Sequence, residues 1–314
     1  MSNDHKLIAD FSSGTFSTVV TPDGGFNEVQ KTVMPFVAIK GSEMRVLGTA
    51  FAISNTGIFL TAKHVVHEAL RLNSLEDYDD EVSLGVIYAS NEENIDDAGT
   101  FVGGVLPITS TSFNADLDIV VLYASLPVNK ETGEKLKVPC MRLSPGIPNC
   151  GTECYALGYR KMNSKFVDSK QHVYEIYQSF SASKGAVQKI HFPKRDKVMC
   201  PFPCFQINAR YDGGMSGGPV ADSTGGVVGV VCSQLSQEGD DPISFVSLVG
   251  PALIIQLDAL NSNDEKERMF LHDFVVGNTV IADVSYESIQ FTREQNSLEA
   301  CFQDYGTIKG VIKE

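Results

Sequence analysis

Apolar residues along this chain fall in short blocks separated by glycine, proline, serine, asparagine and aspartate. Residues 48–53 and 57–66 read as two strands joined by a turn at Ser54-Asn55-Thr56-Gly57, and residues 119–122 as a third, wholly apolar strand. Residues 154–158, 204–207 and 226–234 have the same core-strand character. One block differs. Residues 251–260 space Ala252, Ile255 and Ala259 for a single helical face, which predicts a helix, while residues 275–281 look strand-like. No block reaches the ~20 apolar residues that a bilayer-crossing helix requires. Many short strands joined by turns, in a chain with 27 glycines, predict an all-β protein.

The densest chemical signal is Gly213-Gly214-Met215-Ser216-Gly217-Gly218-Pro219. Glycines crowded around one serine describe a backbone shaped to present a hydroxyl, with the N–H groups of Gly214 and Ser216 as candidate donors to an oxyanion. A serine hydroxyl needs a base to act as a nucleophile at neutral pH. His64 stands near the end of the second of these strands, residues 57–66, and Asp118 directly precedes the apolar run 119–122. A carboxylate at the mouth of an apolar strand calls for a partner, and a histidine ring N–H supplies one. Asp116, two residues earlier, shares the same strand face, so spacing alone does not choose between the two. His67, three residues after His64, lacks the order of a zinc-binding helix and reads as a surface residue.

These motifs resemble those of the trypsin-like, chymotrypsin-fold serine peptidases: Thr61-Ala62-Lys63-His64, Asp118-Ile119-Val120-Val121-Leu122 and Gly214-Met215-Ser216-Gly217-Gly218-Pro219, in the family's order of His, Asp and Ser. The resemblance covers roughly residues 35–260. It implies two six-stranded antiparallel Greek-key barrels with a C-terminal helix, and a triad of His64, Asp118 and Ser216 with Asp118 favoured over Asp116. The implied organisation is an N-terminal extension (1–34), a first barrel (about 35–140), a Pro- and Gly-rich linker, a second barrel (about 150–248), a helix (250–260) and a C-terminal extension (261–314). Met215 stands where digestive members carry an aspartate, and Val65 where they carry a cysteine, which brings the chain closer to bacterial Deg-type and intracellular members. Asn208-Ala209 ahead of the serine loop points the same way.

The family's counting places Arg210 at the base of the specificity pocket, where a buried arginine would favour an acidic side chain; a solvated Arg210, or one paired with Asp212, is the alternative. Cys232, Ser233 and Gln234, closing the strand of residues 226–234, resemble the segment that pairs with substrate backbone, and binding by strand addition follows. The function implied is endoproteolysis of protein substrates through an acyl-enzyme, with no metal and no organic cofactor. The alternatives are a catalytically silent binding module and an esterase using the same residues.

A net charge of −14 argues against nucleic acid or anionic membrane as a partner. Acidic runs at residues 76–81 and 92–97 offer oxygen ligands of the kind calcium takes, with a solvated loop as the simpler reading. Lys184, Lys189, Lys194, Arg195 and Lys197 form a basic cluster read as a hydrated hairpin. Seven cysteines, an odd number, without an export signal predict reduced thiols and a cytoplasmic protein. Two Cys-x-x-x-Cys pairs, Cys150 with Cys154 and Cys200 with Cys204, would make a zinc site only if the fold joined them. Residues 261–314 are expected to pack onto the body or to meet a protein partner.

Overall fold

The computed structural model describes residues 16–18, 28–74, 82–89, 103–168, 173–235, 242–260 and 266–312. The acidic runs at 76–81 and 92–97 and most of the N-terminal extension lie outside the described residues. After β1 (Phe16–Thr18) and α1 (Glu28–Thr32), six strands close a barrel: β2 (Val33–Lys40), β3 (Glu43–Ala52), β4 (Ile58–Ala62), β5 (Ser83–Ala89), β6 (Gly103–Phe113) and β7 (Ile119–Ala124), in the order β2-β3-β4-β7-β6-β5. One helix, α2 (Lys63–Ser74), follows β4 directly. Every residue of β4 is buried, which is why its sequence is apolar apart from Thr61, whose hydroxyl donates to the Thr49 carbonyl at 2.8 Å. The turn between β3 and β4 closes through Ile53 N–H to the Ile58 carbonyl at 2.9 Å. Gly57 serves it with φ +99°, where a Cβ would stand 2.6 Å from the Ala124 carbonyl.

The second barrel is built from β8 (Glu153–Asp168), β9 (Val173–His191), β10 (Cys204–Ile207), β11 (Pro219–Asp222), β12 (Val227–Gln234) and β13 (Ser244–Leu248). Their antiparallel order β9-β10-β13-β12-β11-β8 is closed by the β8–β9 pairing, and β1 adds to β9 from outside. The fold is therefore the chymotrypsin-like double barrel. β8 and β9 form a long hairpin, whose Ser164 hydroxyl donates to the Met44 carbonyl of the first barrel at 2.5 Å.

The segment joining the barrels is held by the C-terminal part of the chain. Leu143 is bridged in parallel to both Val227 and Ala282, with Leu143 N–H donating to Ile281 and Asp283 N–H to Leu143, at 2.8 and 2.9 Å. β16 (Ile289–Glu294), β17 (Ser297–Phe302) and β18 (Gly306–Val311) make a three-stranded sheet whose Leu298, Ala300 and Phe302 bury in the same apolar cluster as the first barrel. Packing onto the body is thus what these residues do.

Two local expectations are corrected. The helix expected over residues 250–260 is a short 3-10 turn, Gly250–Ile254, and the chain then runs as β14 (Gln256–Leu260) against β15 (Lys266–Phe270). Residues 250–255 are buried on all sides, so the helical spacing of Ala252 and Ile255 marks no solvent-facing stripe. The strand expected over 275–281 does not form: Val275 and Val276 end α3 (Leu271–Val276), and residues 277–281 follow as a turn. The Asp273 carboxylate accepts the Phe270 N–H at 2.9 Å and caps this helix, and Gly277 N–H closes it onto the Asp273 carbonyl.

Candidate active site

β4 and β7 pair with Ala62 opposite Ile119, so the residues that follow one strand and precede the other meet at the same barrel end. That register brings His64 to Asp118. The Asp118 carboxylate takes two bonds from His64: Oδ1 from its main-chain N–H at 3.1 Å and Oδ2 from Nδ1 at 2.9 Å. A carboxylate that accepts from the ring fixes the proton on Nδ1 and leaves Nε2 as a base. The Asp118 side chain is 7% exposed and that of His64 43% exposed, so the orienting group is dry and the base faces the cleft.

Asp116 is not part of this pair. It is exposed in a turn, with its N–H donating to the Asn114 side chain at 2.9 Å. Lys63 holds that turn by donating from Nζ to the Ala115 carbonyl at 2.8 Å. Burial pulls the Lys63 ammonium below its usual range, partly offset by the Asp118 and Asp116 carboxylates. His67 is exposed on α2 and meets the Phe113 ring edge-on at 6.1 Å.

Ser216 comes from the second barrel on a loop fixed from several sides. Met215 N–H donates to Asp212, Gly218 N–H to Met215 and Gly217 N–H to Val231, at 3.1, 2.9 and 2.9 Å. Gly214 has φ +95°, and a Cβ there would lie 2.6 Å from the Tyr159 carbonyl. The N–H groups of Gly214 and Ser216 donate to no acceptor among the described residues. Met215 is fully buried beside Ala156, Ile207 and Tyr211, so packing anchors this position. The Ser216 hydroxyl donates to the Cys232 carbonyl at 3.4 Å.

The pocket expectations fare unevenly. Arg210 is exposed rather than buried at the pocket base, and Asp212 pairs with Arg160 at 3.7 Å. The Gln234 side chain accepts the Tyr211 N–H at 2.7 Å, tying the end of β12 to the serine loop. Cys232 sits where β12 shifts register between Val231 and Ser233, and its thiol turns toward the triad. Among the described residues, the one set of three grouped closely enough to hold a cation is His64, Asp118 and Cys232, whose ligand atoms lie within 4.8 Å of one another. All seven cysteines are free. The two Cys-x-x-x-Cys pairs are not brought together: Cys154 lies in the second-barrel core, whereas Cys200 and Cys204 cluster with Cys232. In the basic cluster, Lys184 pairs with Glu153 at 2.6 Å and Arg195 with Asp196 at 2.8 Å.

The residue that sequence reading missed is Thr49. Its N–H and hydroxyl reach across the cleft to the carbonyls of Ser216 and Gly214, at 2.9 and 2.7 Å. Its place in the Gly48-Thr49-Ala50 step was visible, but its partners are 165 and more residues away.

The model of the trypsin-like peptidase domain matches residues 48–230, and the chain belongs to that family. No curated protein matches it. Among solved structures it is similar to Deg5, at 17% identity and a TM-score of 0.46, covering 71% of this chain and 85% of that one. It is also similar to the active form of the Rv3671c protease from M. tuberculosis, at 16% identity and a TM-score of 0.46, covering 80% and 89% respectively. No helix among the described residues is long and apolar enough to cross a membrane.

Proposed function

We propose that this protein is a serine endopeptidase that cleaves peptide bonds through Ser216, His64 and Asp118. The observation that carries the reading is the two-point hold of Asp118 on His64, which fixes the ring proton on Nδ1 and leaves Nε2 of the part-exposed ring as the base for Ser216. In the reaction the Ser216 hydroxyl leaves the Cys232 carbonyl for His64 Nε2 and attacks the substrate carbonyl as its proton passes to the ring. The unused N–H groups of Gly214 and Ser216 receive the oxyanion. His64 then protonates the leaving amine, the acyl group stays on Ser216, and a water activated by the same ring releases it. Substrate backbone adds along the end of β12, beside Ser233 and Gln234.

The substrate is a peptide or unfolded protein, and the strongly acidic chain works away from nucleic acid and anionic membrane, in the cytoplasm. The test is turnover of an unfolded protein and of a simple activated ester by the wild type and by Ser216→Ala. Cleavage of both substrates, reduced on the order of 10^6-fold in the variant, is the expected result. Ester turnover without any protein cleavage would replace the peptidase by an esterase.

A further inference from the structure

Three of the seven cysteines sit in one small buried cluster, Cys200, Cys204 and Cys232 with Phe202 and Phe245, apart from the main core of the second barrel. The grouping is long-range. Cys200 lies between β9 and β10, Cys204 begins β10, and Cys232 is the residue at which β12 breaks register with β13. Bulges of this kind re-aim a side chain beside a site. Here the bulge leaves one face of Cys232 toward Cys200 and the other toward the His64–Asp118 pair, within 4.8 Å of their ligand atoms. The Cys232 carbonyl meanwhile accepts the Ser216 hydroxyl. One residue therefore belongs to the thiol cluster, bonds Ser216 through its carbonyl and lies close to His64 and Asp118.

We propose that Cys200 and Cys232 form an oxidation site, at which a hydroperoxide converts the two thiols to a disulfide and so lowers the activity of the adjoining triad.

The surroundings of Cys200 suit the first step. The main-chain N–H groups of Arg195 and Asp196 both donate to the Cys200 carbonyl, at 3.1 and 3.3 Å, closing a loop that carries the Arg195 guanidinium in beside the cluster. That guanidinium lies over the Phe245 ring at 4.4 Å. The Asp196 carboxylate holds the loop by accepting from Val198 and Met199 N–H at 2.7 and 2.6 Å. The flanking thiols of Cys204 and Cys232, with Arg195, pull the Cys200 thiol below its ordinary range, while Cys204 and Cys232 are pushed up and stay protonated. The arrangement sets one thiol of lowered pKa beside two thiols placed to resolve its oxidised form.

The Cys200 thiolate attacks a hydroperoxide and, with one proton, gives Cys200 sulfenic acid and an alcohol, or water when the oxidant is hydrogen peroxide. The Cys232 thiol then displaces that hydroxyl, forming the S–S bond and releasing water. Two electrons pass from the sulfurs to the peroxide. Cys200 itself is fully buried, and Cys232, 7% exposed near the half-open His64, is the most exposed of the three thiols, so the oxidant has to enter past it. Bond formation draws the Cys232 sulfur from Asp118 and removes the proton it offers that carboxylate. The expected loss is about tenfold or more in rate, the scale of a hydrogen bond to a charged group.

The effect on activity rests on the peptidase reading; the chemistry of the cluster does not. The test treats the full chain with hydrogen peroxide, blocks remaining thiols with N-ethylmaleimide and maps disulfides by mass spectrometry. Fluorophosphonate labelling of Ser216 is followed in parallel. A Cys200–Cys232 bridge is expected, with labelling slowed at least tenfold and restored by dithiothreitol. Cys200→Ser should label at the untreated rate and resist peroxide, and Cys204→Ser should still form the bridge. A bridge confined to Cys200 and Cys204 with labelling unchanged would overturn the proposal, as would wild type in which none of the three oxidises. A mapped Cys200–Cys232 bridge in a protein that never labels would uphold the oxidation site and sink the peptidase reading instead.

Discussion

Thr49 in the first barrel donates its main-chain N–H to the carbonyl of Ser216 in the second, at 2.9 Å. Its hydroxyl donates to the Gly214 carbonyl at 2.7 Å and accepts from the Tyr159 N–H at 3.1 Å, with Thr49 and Tyr159 both buried. The two residues whose N–H groups are proposed to bind the oxyanion are thus both held through their carbonyls by one residue of the barrel that carries His64.

Thr49→Val keeps the shape and removes the hydroxyl, leaving the Gly214 carbonyl and the Tyr159 N–H without this partner. A loss of about 1–3 kcal/mol in unfolding free energy is expected from denaturant titration. The cleavage rate should fall more than stability alone explains, because Gly214 is freed to move, and Thr49→Ser should restore both.

Asp118 and Asp116 differ in role although they sit two residues apart. Asp118→Asn leaves the packing in place but breaks the hold on the His64 tautomer, and kcat should fall by about 10^4. Asp116→Asn, in an exposed turn, should change kcat by no more than about twofold. Equal effects in steady-state assays would mean that the wrong carboxylate has been paired with His64.

Alkaline pH should loosen the fold through its buried phenols. Burial raises the Tyr159 hydroxyl well above its usual range, and that of Tyr123 to about 12, with Asp258 adding to the latter. The folded state keeps these protons when the unfolded chain has already lost them. Stability from this source is therefore complete below about pH 10 and declines as pH rises from there toward the folded values. The Tyr159 hydroxyl donates to the Val33 carbonyl at 3.0 Å, so Tyr159→Phe loses one bond at neutral pH. Its urea midpoint should fall less steeply between pH 9 and 12 than that of the wild type.

Phe302 carries the C-terminal sheet onto the body. It is 3% exposed and meets the Phe192 ring at 5.5 Å, and a Cβ on Gly250 would lie 2.7 Å from it. Phe302→Ala should cost about 3–5 kcal/mol in a single cooperative transition. A variant whose barrels melt as before, with only the C-terminal residues released, would show that this sheet is an appended module.

The strands and the candidate triad were legible because each depends on local sequence. β4 and β7 are almost wholly buried and so read as nearly continuous apolar runs, and the residues at their ends followed at once. The glycines around Ser216 announce a loop of unusual backbone whatever surrounds it. Long-range register is what the sequence conceals. Nothing near Thr49 points to Ser216, and nothing near Cys232 tells that a shift in β12 would set its thiol between Cys200 and Asp118. Residues 251–260 misled for a related reason: their apolar spacing fits a helix, but strand pairing with residues 266–270 decides the outcome.

The most direct test of the central claim is reaction of the wild type and of Ser216→Ala with a fluorophosphonate, followed by peptide mapping of the modified residue. Modification of Ser216 alone, absent from the variant and slowed in Asp118→Asn, is the result this account predicts. A folded wild type that takes up no label, or carries it equally after Ser216 is replaced, would contradict it.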